Sequence, residues 1–175
     1  MSVTVSPTTF QYFAYGSNML TRRLTAADRA PSAKPVGIGY VEGRRLTFDK
    51  VSKDGSGKCD AEKTGEKTDR VYGVIFEIDF TEKTALDEAE GLGKGYAEEC
   101  VEVVTPAGKV PLKSYIATKK ESGLRPYHWY KVIIVVGAVE HGLPRDYVEW
   151  LRAFESIEDP NAERRAKNEA LLFVS

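Results

Sequence analysis

The chain has 175 residues, 42% of them hydrophobic, which suffices for one sizeable core and predicts a single domain over residues 1–175. Its 25 basic and 26 acidic residues give a net charge of −1 and are scattered, so bulk electrostatics argue against a nucleic-acid or membrane partner. No apolar run approaches the roughly 20 residues of a membrane-spanning helix, and residues 1–9, expected to be loosely ordered, lack a secretory-signal pattern.

Two cysteines, Cys59 and Cys100, lie far apart and outside any C-x-x-C motif, which favours reduced thiols and a cytoplasmic protein. Neither the thiols nor the two histidines, His128 and His141, have the spacing of metal ligands, so we expect no metal site. A thiol nucleophile built from Cys100 and a histidine is disfavoured, because Cys100 falls in a strand pattern with nothing to activate it.

The first structured stretch joins a strand to a helix through a small turn. Residues 10–15 are apolar and aromatic and predict a buried strand, Gly16-Ser17 breaks it, and Asn18 starts a short helix. Such a turn aims several backbone N–H groups at one point, which suits a carboxylate or a developing oxyanion. The alternative is a tight structural turn that only leads into the helix.

The middle of the chain predicts strands around a polar interval. Residues 36–49 predict a pair of strands, and residues 50–70 predict a loop with at most one short edge strand. Within that loop, the sequence G-S-G-K at 55–58 lacks the spacing of a phosphate-binding loop and is interpreted as a flexible turn. Residues 71–78, β-branched and aromatic nearly throughout, predict a strand that is buried on both faces.

One helix and two strands come next. The helix follows residue 78 and stops at Gly91, because glycine suits the left-handed position that ends a helix. Residues 99–104 and 110–118 then predict two strands joined by a turn. Glu90 therefore lies in the last turn of the helix, beside the negative end of its dipole.

The remainder of the chain predicts helices. From Tyr127 onward the apolar period is helical. The expected buried stripe of this helix comprises Trp129, Val132, Ile133, Val136 and Val139. A second helix follows Pro144, and a last, charged helix opens at Asp159-Pro160. Strands first and helices after, without strict alternation, predict a single α+β domain.

Glu90 is the candidate for acid–base chemistry. The helix dipole and the like charge of Asp87, one turn earlier on the same face, both disfavour a charged carboxylate, which suits a general acid or base. The alternative is a solvated acid on an exposed face that also carries Glu82 and Glu88.

The chain is rich in tyrosine, with nine such residues, and buried phenols need hydrogen-bond partners. Tyr96, Tyr115 and Tyr130 are therefore candidates to line a polar pocket. The alternative for each of them is ordinary packing in the core or at the surface.

Three motifs occur together in one order. F-A-Y-G-S-N at residues 13–18, L-D-E-A-E-G at 86–91 and G-L-P at 142–144 resemble the gamma-glutamylcyclotransferase family. The loop at 54–58 is similar to that of the bacterial-type branch. The resemblance runs from about residue 10 to residue 151, and the segment 155–175 lies outside it.

The resemblance implies an α+β fold built as a small mixed β-barrel surrounded by helices, with a cavity at one end. It also implies release of 5-oxoproline, because in this family the substrate's own α-amine attacks the γ-carbonyl of a gamma-glutamyl amide. Glu90 matches the catalytic glutamate, and no covalent intermediate, metal or cofactor is required. The residues that match the substrate-binding positions are Tyr15, Gly16, Ser17, Asn18, Tyr115 and Tyr130. Tyr96 lies near a further family tyrosine.

Related cyclotransferases remain as alternatives. The glutathione-specific type carries Y-G-S-L followed by tryptophan and the gamma-glutamylamine type carries Y-G-T-L, whereas this chain has Asn18-Met19 after Y-G-S. We therefore expect a small-molecule gamma-glutamyl dipeptide as substrate. A non-catalytic small-molecule-binding domain of the same fold is the alternative from another class, and a homodimer stays open as the assembly.

Overall fold

The computed structural model describes residues 7–173. The expectation of loose order for residues 1–9 therefore falls mostly outside the described residues, and Thr9 already begins the first strand. The strands are β1 (Thr9–Ala14), β2 (Lys34–Glu42), β3 (Arg44–Val51), β4 (Gly57–Lys63), β5 (Arg70–Asp79), β6 (Tyr96–Thr105) and β7 (Gly108–Ala117). The helices are α1 (Thr21–Leu24), α2 (Lys83–Glu90), α3 (His128–Glu140), α4 (Arg145–Arg152) and α5 (Ala162–Glu169).

Five strands close into a barrel in the order β1-β5-β2-β6-β7. The closing contact between β7 and β1 is parallel and joins Lys113 to Tyr12, whereas the other pairings are antiparallel. β5 pairs with β1 on one side and β2 on the other, and its residues are buried on both faces, Val74 and Phe76 on one and Val71 and Ile75 on the other. The predicted mixed barrel and the predicted doubly buried strand are both confirmed.

Both strands predicted within residues 36–49 are present, but they do not pair with each other. β2 joins the barrel by pairing with β5 and β6, whereas β3 pairs with β4 in a separate two-stranded sheet. Gly43, with a φ of 74°, redirects the chain between the two sheets. A turn between two strands therefore does not oblige those strands to be hydrogen-bonded neighbours.

The predicted loop at residues 50–70 contains one strand, β4, as the prediction allowed, but this strand has seven residues and is more buried than a short edge strand. Cys59, Asp60 and Ala61 are buried in succession. The Asp60 carboxylate accepts a hydrogen bond from the Ala117 backbone N–H at 2.8 Å and lies 3.1 Å from Lys120 Nζ. Such partners allow a charged residue to be buried in a strand. The polar composition of this segment is therefore compatible with a buried strand, although it is typical of a loop.

α2 ends as predicted, with Gly91 in the left-handed conformation at a φ of 72°. α3 is the central helix outside the barrel, but its buried face includes Ile134 and Ala138, while Val139 of the predicted stripe is 54% exposed. A Cβ added to Gly137 would lie 2.6 Å from Leu20 N, so the glycine lets α3 press against the turn after β1. None of the helices within residues 7–173 has both the length and the apolar character needed to cross a bilayer.

The last helix, α5, opens two residues later than predicted, after an Asn161 side chain that accepts a hydrogen bond from Arg164 N at 2.9 Å. Asp159 instead anchors this segment to α3, because its buried carboxylate accepts a hydrogen bond from Trp129 Nε1 at 2.9 Å. The same carboxylate pairs with the Arg164 guanidinium at 2.6 Å. The C-terminal segment is thereby attached to the helix that supports the turn after β1.

Candidate active site

The predicted site residues meet at one end of the barrel, around two connected spaces. An inner cavity of about 30 Å³ leads to an outer cleft of about 440 Å³, and residues such as Ser17, Glu90, Tyr96 and Tyr130 line both. The inner cavity is lined by Tyr12, Tyr15, Gly16, Ser17, Asn18, Cys59, Glu90, Tyr96, Tyr115 and Tyr130. The seven residues that the family resemblance assigns to the site are among them, and so is the further candidate Tyr96.

Glu90 lies at the boundary between the inner cavity and the outer cleft, as the last residue of α2. Its Oε1 accepts hydrogen bonds from Asn18 Nδ2 and, at 3.1 Å, from Arg29 Nη1. The carboxylate is 18% exposed. An ion pair and an amide donor on one oxygen hold the side chain in a fixed orientation.

Asn18 orients the Glu90 carboxylate and is hydrogen-bonded to its neighbours. The side chain is 3% exposed, and its Nδ2 lies 3.3 Å from the Tyr12 hydroxyl. Its Oδ1 accepts a hydrogen bond from Arg29 Nη1 at 3.3 Å, so one guanidinium nitrogen bridges the amide and Glu90. The turn after β1 therefore acts on the carboxylate through a side chain as well as through its backbone.

Asp87 does not repel Glu90 as expected from the sequence. Its Oδ1 lies 2.6 Å from Lys83 Nζ and accepts a hydrogen bond from the Tyr115 hydroxyl at 2.5 Å. The Lys83 ammonium balances the charge of Asp87, and the Tyr115 hydroxyl donates to the same carboxylate. Asp87 therefore positions Tyr115. The Tyr115 carbonyl in turn accepts a hydrogen bond from the Tyr15 hydroxyl.

Gly16 makes a close approach rather than a left-handed turn, since its φ is −112°. A Cβ at this position would lie 3.3 Å from Cys59 Cβ and 3.8 Å from the Tyr130 hydroxyl. That hydroxyl accepts a hydrogen bond from Cys59 N at 3.1 Å, and the Tyr96 hydroxyl donates to Cys59 O at 2.6 Å. Two phenols thus fix β4 against the turn.

The backbone of the turn also offers donors. The N–H groups of Gly16, Ser17 and Asn18 have no acceptor within residues 7–173, and all three residues line the inner cavity. That these N–H groups bind a carboxylate or an oxyanion stays a prediction from the sequence.

Burial holds the phenols and the thiol of the inner cavity in their protonated forms. It raises the pKa of Tyr12, Tyr15, Tyr96, Tyr115 and Tyr130 well above the ordinary value of a phenol. Burial likewise raises the pKa of the Cys59 thiol to about 12. Among the described residues that line the inner cavity, Glu90 is the one carboxylate, the kind of side chain that serves as a general base.

Sequence reasoning missed Tyr12, Arg29 and Cys59. Tyr12 carried a usable signal, because a phenol inside an apolar strand needs a polar partner. Nothing in the local sequence marks Arg29, which lies in the connection after α1 and reaches Glu90 across 61 positions. Within residues 7–173, no three His, Cys, Asp or Glu side chains gather as a metal site requires.

Comparisons with known proteins extend over most of the chain. The sequence model of the AIG2-like family matches residues 70–151. A gamma-glutamylcyclotransferase of Mus musculus is 37% identical over 156 residues, which cover 86% of this chain and 81% of the mouse protein. The gamma-glutamylcyclotransferase of Homo sapiens is 38% identical over 152 residues, covering 83% of this chain and 79% of the human protein. A solved gamma-glutamyl cyclotransferase structure, 32% identical, superposes with a TM-score of 0.81 over 93% of this chain and 99% of that one.

Proposed function

The chain belongs to the gamma-glutamylcyclotransferase family, and we infer that it is an enzyme that catalyses the reaction for which the family is named. We propose that its substrates are gamma-glutamyl amino acids and that its products are 5-oxoproline and a free amino acid. The observation that carries the mechanism is the position of Glu90, a fixed carboxylate in a cavity whose other titratable groups are held protonated by burial.

The reaction begins with a proton transfer. The substrate's α-amine is an ammonium near neutral pH and cannot attack a carbonyl until it loses a proton. Glu90 accepts that proton, and Arg29 and Asn18 hold its carboxylate in the orientation that the transfer requires. The lone pair freed on the amine then becomes the nucleophile.

Ring closure and release follow. The amine attacks the γ-carbonyl carbon, which forms the ring C–N bond and places the electron pair of the carbonyl on its oxygen. When this oxyanion collapses, the original amide C–N bond breaks and the departing nitrogen takes the proton held by Glu90. The ring nitrogen, which carries two hydrogens after the attack, gives its second proton through the same carboxylate to the released amine, which leaves as an ammonium. The products are 5-oxoproline and a free amino acid, and Glu90 returns to its carboxylate form.

Two further features of the site support this chemistry. Nucleophile and carbonyl belong to one molecule, so a cavity that folds the substrate supplies an orientation effect of up to several kcal/mol. The backbone N–H groups of the Gly16 to Asn18 turn are donors for the oxyanion or for the substrate's α-carboxylate.

The size of the two spaces suggests how the substrate lies. The inner cavity of about 30 Å³ has room for one small group, whereas the outer cleft of about 440 Å³ falls in the range of ligand pockets. The reacting end of the glutamyl group would occupy the inner cavity and the leaving amino acid the outer cleft.

A reducing compartment such as the cytoplasm suits the free thiols of Cys59 and Cys100, the latter exposed.

The test is a substrate panel. Purified protein is incubated with gamma-glutamyl dipeptides, glutathione and gamma-glutamyl-ε-lysine, and 5-oxoproline is measured by mass spectrometry. We expect turnover of the dipeptides with kcat/KM well above that for the other two. Exclusive turnover of glutathione or of the ε-lysine amide would favour the corresponding alternative, and binding without product would identify a non-catalytic domain.

A further inference from the structure

The outer cleft is strongly basic although the whole chain is nearly neutral. Seven of its lining residues are Lys or Arg and two are Glu, whereas the chain has a net charge of −1. A cleft of one charge sign concentrates field lines and attracts ligands of the opposite sign. The distribution of charge therefore indicates an anionic occupant.

Most of these cations lack a protein counter-charge. Arg29 is paired with Glu90, and Lys58 lies 3.2 Å from the Asp54 carboxylate. The cations of the cleft that have no carboxylate partner within residues 7–173 are Arg23, Lys50, Lys53, Lys94 and Lys119. Arg23 is held instead by the Ser17 hydroxyl at 3.2 Å and the Asn168 side-chain oxygen at 3.3 Å.

Among the four lysines of this set, Lys50 has the most defined position. Its Nζ lies 4.7 Å from the centre of the Tyr96 ring, and Tyr96 lines both the cleft and the inner cavity. Its Cε would lie 2.8 Å from a Cβ placed on Gly95, so the end of the side chain packs against the backbone there. The ammonium is thus fixed at the junction where the leaving amino acid would emerge.

A gamma-glutamyl dipeptide with a neutral leaving residue brings two carboxylates, fewer than the unpaired cations of the cleft. We propose that Lys50, assisted by these neighbouring cations, selects gamma-glutamyl substrates whose leaving residue carries an acidic side chain. This specificity rests on the proposed function and adds a residue that recognises the leaving group.

The test compares leaving residues of similar size and different charge: gamma-glutamyl-glutamate, gamma-glutamyl-glutamine and gamma-glutamyl-lysine. We expect kcat/KM of the wild type to be about tenfold higher for the glutamate substrate than for the glutamine substrate, and lowest for the lysine substrate. A tenfold ratio corresponds to about 1.4 kcal/mol of free energy. The difference should lie mainly in KM and should shrink as salt shortens the Debye length from about 10 Å to about 3 Å. Lys50→Glu should reverse the order of glutamate and lysine.

Lys109→Glu is the matched control, because Lys109 is an exposed residue at the far end of the β6–β7 hairpin, about 26 Å along the strands from Tyr96. We expect this variant to keep the wild-type order. If Lys50→Glu does not fold, Lys50→Gln should still bring the glutamate-to-glutamine ratio close to one. Equal wild-type kcat/KM for the glutamate and glutamine substrates, or an unchanged order in the folded Lys50 variants, would overturn this inference alone. Absence of turnover with every gamma-glutamyl substrate would overturn the proposed function and this inference with it.

Discussion

Replacing Gly16 tests whether the turn after β1 works through its shape. A Cβ at this position would lie 3.3 Å from Cys59 Cβ and 3.5 Å from Cys59 Sγ, closer than the optimum of about 3.5–4.0 Å. The γ-methyls of valine extend further into this space. We expect Gly16→Val to displace the turn from β4, to cost about 1–3 kcal/mol of stability and to abolish turnover.

The measurements are melting, circular dichroism and 5-oxoproline release. At roughly 2–4 °C per kcal/mol for a chain of this size, the melting temperature should fall by several degrees while the protein still folds at 25 °C. Gly37→Val is the matched control, because no atom lies within 4 Å of a Cβ at that exposed position. Ser17→Ala, which removes the acceptor of Arg23 Nε, should lower kcat/KM by less than about tenfold. A folded and fully active Gly16→Val would refute this reasoning, and an inactive Ser17→Ala would point to a hydroxyl that acts in the chemistry.

Three further predictions concern the thiols, a buried lysine and the C-terminal anchor. Iodoacetamide should label exposed Cys100 in the folded protein but not buried Cys59, whose pKa is raised by burial. Neither this labelling nor EDTA should lower activity, and loss of activity in either treatment would contradict the metal-free acid–base mechanism. Burial lowers the pKa of Lys58 from 10.5 to about 8, so the folded protein loses this proton before the unfolded chain does, and the contribution of Lys58 to stability should rise between pH 8 and 10.5. In denaturant titrations the wild type should therefore gain stability relative to Lys58→Met over this range, by a few kcal/mol at most, and parallel pH profiles of the two proteins would exclude this contribution. Asp159→Asn breaks the buried ion pair with Arg164, and it should lower the free energy of unfolding by about 2 kcal/mol and leave kcat little changed. An unchanged melting temperature would show that the pair contributes nothing to stability.

The features that the sequence predicted correctly are those decided by local chemistry. The apolar run in β5 required burial on both faces, and Gly91 marked the helix end that places Glu90 at the cavity. The break after Tyr15 likewise marked the turn. Each of these depends on the properties of neighbouring residues, which a single sequence displays directly.

The features that were missed depend on contacts between distant parts of the chain. β2 and β3 are separated only by Gly43, yet each finds its hydrogen-bond partners elsewhere in the chain. Arg29 joins the site only because the connection after α1 passes the end of α2, and the buried Asp60 needed a distant ammonium before β4 could be recognised as a strand. Local patterns carry no information on such partners.

The most direct test of the central claim is the rate of 5-oxoproline release by Glu90→Gln, measured beside the wild type and Glu102→Gln, a control on an exposed residue of β6. Glutamine keeps the size of the side chain and an acceptor for Asn18 and Arg29 but cannot take a proton. We expect a folded Glu90→Gln whose kcat is lower by on the order of a hundredfold or more, and a control with the wild-type rate. A Glu90→Gln variant that retains most of its kcat would contradict the assignment of this carboxylate as the general base.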